Sequence, residues 1–482
     1  MSFAMDRCLA LDPKLVMRND IEKIVILTRP VSNRNSICVL LHPYEAIIIS
    51  LMDGTRSIEE VGGLWAMLTS KPHSYGVEAV MSVVNRFTSG KREHNDILIK
   101  VDDTNRRNIR QYNPEDFVIA ADKVNLSERR LRIPHIIHYM PTLLCPQNCV
   151  YCYAKRSPIL ESDALSMERL REVFEELAGL GVEAIQLTGG DPMVHPKMLE
   201  IMEMVRSFGM AIELPTKLGL SREKASRLID IGINEIQISL DSSDPQTLDY
   251  MVGVTNYHRK VFQCLDYLRE IGMRVRINSV LTSHNISQVG NLLDYLGSFS
   301  NIFRVTLSPY GRSMWCHNDA NFISENDLLR VQAEADKRIA SFPHMQIIVG
   351  GIAAKPPVNF QERYDAWEAR AQCSGNRDGF VILPNGQVTV CEGLYDHPSF
   401  LIGNLATQSV MEVWESPEAK ALIYPDQTTV PDGPCRTCST FVQCHSQRGR
   451  CWRDVVKAYG CDKHYYPDPR CPSAPQGALR LG

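Results

Sequence analysis

Cys145, Cys149 and Cys152 are spaced C-x3-C-x2-C, directly after the apolar run 136–144. Thiolates at this spacing can close on three irons of a 4Fe-4S cluster and leave the fourth iron without a protein ligand. An open iron is a place for chemistry. A zinc ribbon prefers C-x2-C pairs and a ferredoxin supplies a further cysteine nearby, so the pattern fits neither. Tyr151 places an aromatic ring immediately before the last thiol.

A second concentration of thiols lies toward the C-terminus. Of 15 cysteines, eight are Cys373, Cys391, Cys435, Cys438, Cys444, Cys451, Cys461 and Cys471. The N-terminal residues lack the charged-then-apolar order of a signal peptide, so these thiols argue for metal ligation over disulfides. Spacing alone does not separate zinc from iron in Cys435-x2-Cys438-x5-Cys444. Cys316 is read as a buried, inert thiol, with a cluster ligand or a residue over the active site as the alternative. Cys8, Cys38 and Cys264 take the bland reading.

Such residues need rigid elements to aim them. Apolar, β-favouring runs at 135–140, 183–187, 211–214, 235–240, 274–281 and 302–307 predict strands, and 167–179 and 197–208 carry helical periodicity. Repeated β-α units predict an α/β fold with a parallel sheet, right-handed crossovers and functional residues at the C-terminal strand ends. Thr188, Gly189, Gly190, Asp191 and Pro192 end the second strand, where glycines let the backbone approach a ligand and the strand edge can bind an ammonium group. Ser239, Leu240, Asp241 and Ser242 end the fourth. Lys217, Arg274 and Arg276 are candidates for a ligand carboxylate and are otherwise solvated surface charges.

The flanks differ in texture. Residues 1–110 read as a small separate domain, with strands at 21–27 and 37–41, a helix opened by His42-Pro43, a capping box at Ser57 and Glu60, and a third helix at 77–87. Residues 111–133, including Arg129-Arg130-Leu131-Arg132, read as a solvated linker. The barrel-like region is placed at 134–340 and a cysteine-rich domain at 341–482, the latter with a hairpin turning at Asn385-Gly386. The 482 residues, 44% hydrophobic and 22% charged, suit a soluble multidomain protein. A net charge of -4 gives no global basis for nucleic-acid or membrane binding. No apolar run reaches the ~18 residues of a membrane span, and the cytoplasm is the expected location.

With these motifs in hand, the chain resembles the radical SAM superfamily. The resemblance implies a partial (β/α)6 barrel. It also implies a 4Fe-4S cluster on Cys145, Cys149 and Cys152 whose open iron is chelated by S-adenosylmethionine (SAM). A one-electron reductant of the flavodoxin or ferredoxin type would drive SAM cleavage to a 5'-deoxyadenosyl radical. Thr188-Gly189-Gly190-Asp191 is similar to the segment carrying the family's Gly-Gly-Glu, which contacts the SAM amino group, with Asp for Glu. Ser239 to Ser242 is similar to the Ser-Leu-Asp-Gly segment, from which a hydroxyl reaches the SAM ribose or carboxylate. Many members carry a carboxylate-binding arginine further on. Here Tyr250-Met251-Val252-Gly253 stands in that region, leaving the carboxylate partner unassigned.

The C-terminal region closely resembles the SPASM extension, which carries auxiliary 4Fe-4S clusters. By order, Cys435, Cys438, Cys444 and either Cys461 or Cys471 would hold an outer cluster, and Cys373, Cys391 and Cys451 an inner one. The gap from Cys444 to Cys451 is longer than the family pattern. The N-terminal region, with its phrase 51–61, resembles the RiPP recognition element, a winged-helix-like module that binds a precursor's leader as an added strand. Together these resemblances imply a maturase of a ribosomally made precursor peptide. Thioether closure is the favoured outcome, because thiolate and iron are a soft pair. Carbon-carbon crosslinking, epimerisation and formylglycine formation on a sulfatase-type protein are the enzymatic alternatives. A non-catalytic iron-sulfur peptide-binding module is the alternative of another class.

Overall fold

The computed structural model describes residues 5–28, 38–88, 97–102, 106–152, 154, 164–311, 318–351, 359–369 and 373–475. Cys316 and Tyr153 lie outside them. The chain forms two compact units, residues 1–133 and 134–482.

The first unit contains β1 (Cys8–Leu11), β2 (Leu15–Asn19), β3 (Ile24–Thr28), β4 (Cys38–Leu41), α1 (Pro43–Leu51), β5 (Asp53–Ser57), α2 (Ile58–Thr69), α3 (His73–Thr88) and β6 (Leu98–Lys100). The strands make two antiparallel sheets, ordered β2-β3-β4 and β5-β1-β6. The expected box at Ser57 and Glu60 starts α2, and a second one at His42 and Glu45 starts α1. α2 and α3 touch so closely that a Cβ on Gly76 would lie 2.1 Å from the Gly62 carbonyl. The strand expected at 21–27 begins only at Ile24, because Ile21 sits at φ 69 in the turn from β2.

Residues 111–133 are not a solvated linker but part of this unit. Tyr112 Oη accepts from Met17 N at 3.0 Å, and Asn19 Nδ2 donates to the Asp116 carbonyl at 2.8 Å. The fully buried Lys23 donates to the Glu128 and Arg130 carbonyls at 2.8 and 2.9 Å. Asp20 accepts from the amides of Arg132 and Ile133. Leu131 packs against Val16, Val25 and Leu27, and Arg130 is buried. The basic run is folded in because its backbone, rather than its charge, satisfies the buried Lys23 and Asp20.

The second unit alternates strand and helix: β7 (Ile136–Tyr139), α4 (Met167–Gly179), β8 (Ala184–Leu187), α5 (Met198–Ser207), β9 (Ala211–Glu213), β10 (Pro215–Thr216), α6 (Arg222–Asp230), β11 (Glu235–Ser239), α7 (Pro245–Val252), α8 (Tyr257–Glu270), β12 (Arg274–Leu281), α9 (Val289–Gly297), β13 (Ile302–Pro309), α10 (Glu325–Ile339) and β14 (Gln346–Val349). All neighbouring pairs from β7 to β9 and from β10 to β14 are parallel. β9 and β10 are one broken strand, and the intervening Leu214 carbonyl accepts from Gln237 N at 2.9 Å. Alternation gives each strand two characters. Ile137, Ile185, Ile236, Ile277 and Val305 are buried in the main core with the helices, while His138, Gln186, Glu213, Gln237, Arg276 and Arg304 occupy the opposite face. There Arg276 pairs with Glu213 at 3.2 Å and Glu235 at 2.9 Å.

The expected boundary at residue 340 falls before β14, which pairs with β13, so the barrel sheet runs on to Val349. After α11 (Phe360–Ala369) come β15 (Gly379–Ile382), β16 (Gln387–Thr389), β17 (Leu401–Asn404), α12 (Val410–Trp414), α13 (Pro417–Ile423), α14 (Phe441–Gln443) and α15 (Trp452–Tyr459). The expected hairpin is β15 and β16, with Gly386 at φ +84 in its turn. β15 also pairs in parallel with β7, giving the order β17-β16-β15-β7-β8-β9. The cysteine-rich region thus extends the barrel's own sheet. No described helix is long and apolar enough to cross a membrane.

Candidate functional site

The cysteine loop follows β7 and is clamped from two sides. From one side, Gly190 N donates to the Thr142 carbonyl and Asp191 N to the Leu144 carbonyl, both at 3.0 Å. A Cβ on Gly190 would stand 2.0 Å from the Leu144 oxygen, and one on Gly189 2.3 Å from the Thr142 oxygen. The glycines are therefore required by the approach of the cysteine loop itself. From the other side, Asn148 N and Val150 N donate to the carbonyls of Val252 and Met251 at 2.9 and 3.0 Å. Gly253, at φ +70, has no room for a side chain against Asn148. The segment that replaces the expected arginine region thus supports the loop with the C-terminal end of α7.

Tyr151 points inward and donates its hydroxyl to Asp241. Asp241, almost fully buried, also accepts from Lys217 Nζ at 2.8 Å and from Val280 N at 2.9 Å. Burial first, then the Asp241 charge, pushes the Tyr151 phenol well above its ordinary range. Lys217 is not the solvated charge expected. Burial would lower its pKa, but Asp241 and then Cys149 reverse this and hold the ammonium protonated. Arg274 is largely exposed and Arg276 is tied to the lumen carboxylates, so neither meets the loop through its ion pairs.

Asp191 departs from the expected ammonium contact. Its carboxylate is buried and accepts from Thr216 Oγ1, Lys217 N and Met193 N. Protein donors hold both of its oxygens. Ser239 ends β11 on the same face as Gln237. Thr188 Oγ1 donates to Glu392 Oε2 at 2.8 Å, which joins the glycine segment to the residue after Cys391. Burial lowers the pKa of His138 on β7, against the pull of Glu392 and Glu213, and keeps the imidazole neutral. Glu392 and His138 carried no motif; the only signal was that Glu392 adjoins a cysteine.

The C-terminal thiols sort into two neighbourhoods. Cys451 lowers the pKa of Cys373 and Cys373 raises that of Cys451, while Cys391 acts on Cys373 and Cys451 on Cys391. Burial pushes Cys391 up to about 11. Cys435 is likewise pushed up to about 11 by burial, with Cys444, Cys471 and Cys438 as its thiol neighbours. Cys438 acts on Cys471 in turn. Cys461 is exposed and belongs to neither group. Cys264 is buried among apolar residues, as expected.

These donor sets suit clusters better than single ions. Among the described residues, no three Cys, His, Asp or Glu side chains converge tightly enough for one metal ion. A cubane distributes its thiolates over separate irons, whereas zinc gathers its ligands about one centre. Three neighbourhoods of partly buried thiols, each beside a cation (Lys217, Arg453 or Arg450), fit such groups.

Fold and site together define a radical SAM barrel carrying an iron-sulfur extension. Residues 139–296 match the radical SAM superfamily, and residues 373–439 match SPASM, an iron-sulfur cluster-binding domain. The protein is an enzyme that uses SAM and 4Fe-4S clusters. Among curated relatives, the AdoMet-dependent heme synthase of Methanosarcina barkeri is 22% identical over 66% of this chain and 92% of its own. The PqqA peptide cyclase of Methylocella silvestris is 25% identical over 61% and 77%. The crystal structure of Streptococcus suis SuiB bound to precursor peptide SuiA superposes with a TM-score of 0.62 at 17% identity, covering 96% of this chain and 99% of that one.

Proposed function

We propose that the protein is a maturase that crosslinks a ribosomally made precursor peptide, with a carbon-sulfur thioether as the favoured product. The observation that carries this reading is the clamped cysteine loop at the barrel mouth, joined through Thr188 and Glu392 to Cys391. Peptide substrates are supported by the PqqA peptide cyclases among its relatives and by SuiB, which is bound to a precursor peptide.

Cys145, Cys149 and Cys152 would hold the SAM-cleaving cluster. The backbone of Gly189 and Gly190 and the hydroxyl of Ser239 would orient SAM, and Lys217 would take its carboxylate in place of the missing arginine. Cys435, Cys438, Cys444 and Cys471 would hold an outer auxiliary cluster, and Cys373, Cys391 and Cys451 an inner one. When bound, these groups supply one-electron cleavage of SAM, a carbon radical able to abstract hydrogen, and acceptors for the surplus electron. The protein's part is to fix the loop through Asp241 and Tyr151 and to present a polar lumen in which His138 is neutral. In the first unit, β4 pairs only with β3 among the described residues, and an extended leader would add to this sheet as a further strand.

The test is anaerobic reconstitution with SAM and a one-electron reductant, together with co-expression of each short peptide encoded beside the gene. Release of 5'-deoxyadenosine and a peptide lighter by two hydrogens, with one thiol no longer alkylatable, are expected. An unchanged peptide mass with every neighbouring peptide would overturn the crosslinking reading.

A further inference from the structure

Lys217 is an ammonium that cannot swing out to water. Its Nζ lies 2.8 Å from Asp241 Oδ2 and 5.3 Å from the centroid of the Tyr151 ring, and only 13% of its side chain is exposed. Its backbone is anchored at both ends: the amide donates to Asp191 at 2.7 Å, and the carbonyl accepts from the Tyr257 hydroxyl at 2.5 Å. Asp241 is itself fixed by Val280 N and Tyr151, so the pair is a rigid dipole rather than a mobile salt bridge. The positive end lies within electrostatic reach of Cys149 and Cys145.

We propose that Lys217 is the fixed counter-charge of the SAM-cleaving cluster, raising its reduction potential so that a physiological one-electron donor can reduce it. This rests on the assignment of Cys145, Cys149 and Cys152 as the ligands of that cluster. In the reaction the donor loses one electron and the cluster gains it, so the cluster becomes more negative by one charge. A fixed cation in a site of low dielectric stabilises that product more than the oxidised form. Net charge and burial are the levers by which proteins set such potentials. The nearby Asp241 opposes the effect, but its carboxylate is covered by three donors, and Cys149 feels the ammonium more strongly than the carboxylate. Lys217 is in this role a positioning residue, acting through the cluster.

The experiment is a redox titration of the anaerobic full-length holoenzyme followed by electron paramagnetic resonance, the SAM-cleaving cluster being identified by the change that added SAM makes to its signal. Midpoints are measured without SAM for wild type, Lys217→Met, Lys217→Gln and Lys217→Arg. Both neutral variants should become harder to reduce, with the reduced-to-oxidised ratio at a fixed poise falling about tenfold, which is ~59 mV for one electron. Lys217→Arg should stay near wild type. An unchanged midpoint in a neutral variant with full iron content overturns the proposal, as does a shift in Lys217→Arg equal to that in Lys217→Met. Loss of the triad's iron in both neutral variants overturns it too, because the role would then be structural. A wild type with no SAM-responsive signal would instead overturn the ligand assignment itself.

Discussion

Thr216 Oγ1 lies 2.8 and 2.9 Å from the two carboxylate oxygens of Asp191, deep in the barrel wall. With Lys217 N and Met193 N as further donors, this bond ties the end of β8 to the end of β10. It also explains the short acid: the carboxylate meets its donors without the extra methylene of a glutamate. Asp191→Ala should destabilise the second unit by about 2–4 kcal/mol, because it leaves several buried donors unpaired. Asp191→Glu should cost about 1–3 kcal/mol through overpacking. Urea unfolding of the anaerobic protein measures both, and a stability loss under 0.5 kcal/mol (roughly the surface-substitution range) would contradict the argument.

His138 makes stability depend on pH. Burial lowers its folded-state pKa from the ordinary 6.5. Below 6.5 the unfolded chain takes a proton that the native state refuses, so this group's contribution is present above 6.5 and is lost as pH falls from there toward the depressed folded value. The slope approaches 1.4 kcal/mol per pH unit, roughly one proton's worth. His138→Gln should flatten the urea midpoint's dependence on pH between about 7.5 and about 5.5. Equal slopes in wild type and variant would show that the folded chain takes up this proton as readily as the unfolded one.

Lys23 holds the run 128–132 by its backbone carbonyls. Lys23→Met fills the same space but leaves both carbonyls without their donor and removes a nearby cation from the buried Asp20. Local opening should become easier by at least ~1.4 kcal/mol, a tenfold rise in the trypsin cleavage rate after Arg129, Arg130 or Arg132. Gel-resolved time courses should show fragments corresponding to the two units. Resistance equal to wild type would mean that Leu131 packing alone holds the segment.

Much of this architecture was legible in the sequence, and the exceptions have physical causes. The strands at 184–187, 235–239 and 274–281 could be read because buried and lumen-facing residues alternate along them. β14 was missed because Gln346–Val349 is short and separated from β13 by a whole helix. The Cys145 triad is local, so spacing revealed it. The Asp241–Lys217 pair is not local: the residues follow successive strands, and only the fold brings the ammonium to Asp241 and the Tyr151 ring. Burial likewise turned an apparently basic linker into part of a domain. The choice between Cys461 and Cys471 was open for the same reason, since order along the chain does not say which thiol turns inward.

That choice gives the sharpest test of the C-terminal region. Cys471 follows Asp468, whose carbonyl accepts the Cys471 amide at 2.8 Å and whose carboxylate accepts the Cys451 amide at 2.9 Å. One aspartate therefore fixes a thiol of each neighbourhood. Arg450 donates to the carbonyls of Tyr465 and Tyr466 at 2.5 and 2.7 Å, which folds the chain back so that Cys471 returns toward Cys435 and Cys438. Cys461, before this return, is left exposed. Reconstituted wild type should hold about twelve irons, as three cubanes. Cys471→Ala should lose about four of them, unless a bound solvent ligand keeps the outer cluster in a labile form that chelator then removes. Cys461→Ala should retain the full complement, and Cys461 should be the first thiol alkylated in the folded holoenzyme. Iron loss in Cys461→Ala with retention in Cys471→Ala would reverse the assignment, and bound zinc with iron near four would replace the auxiliary clusters with a zinc module.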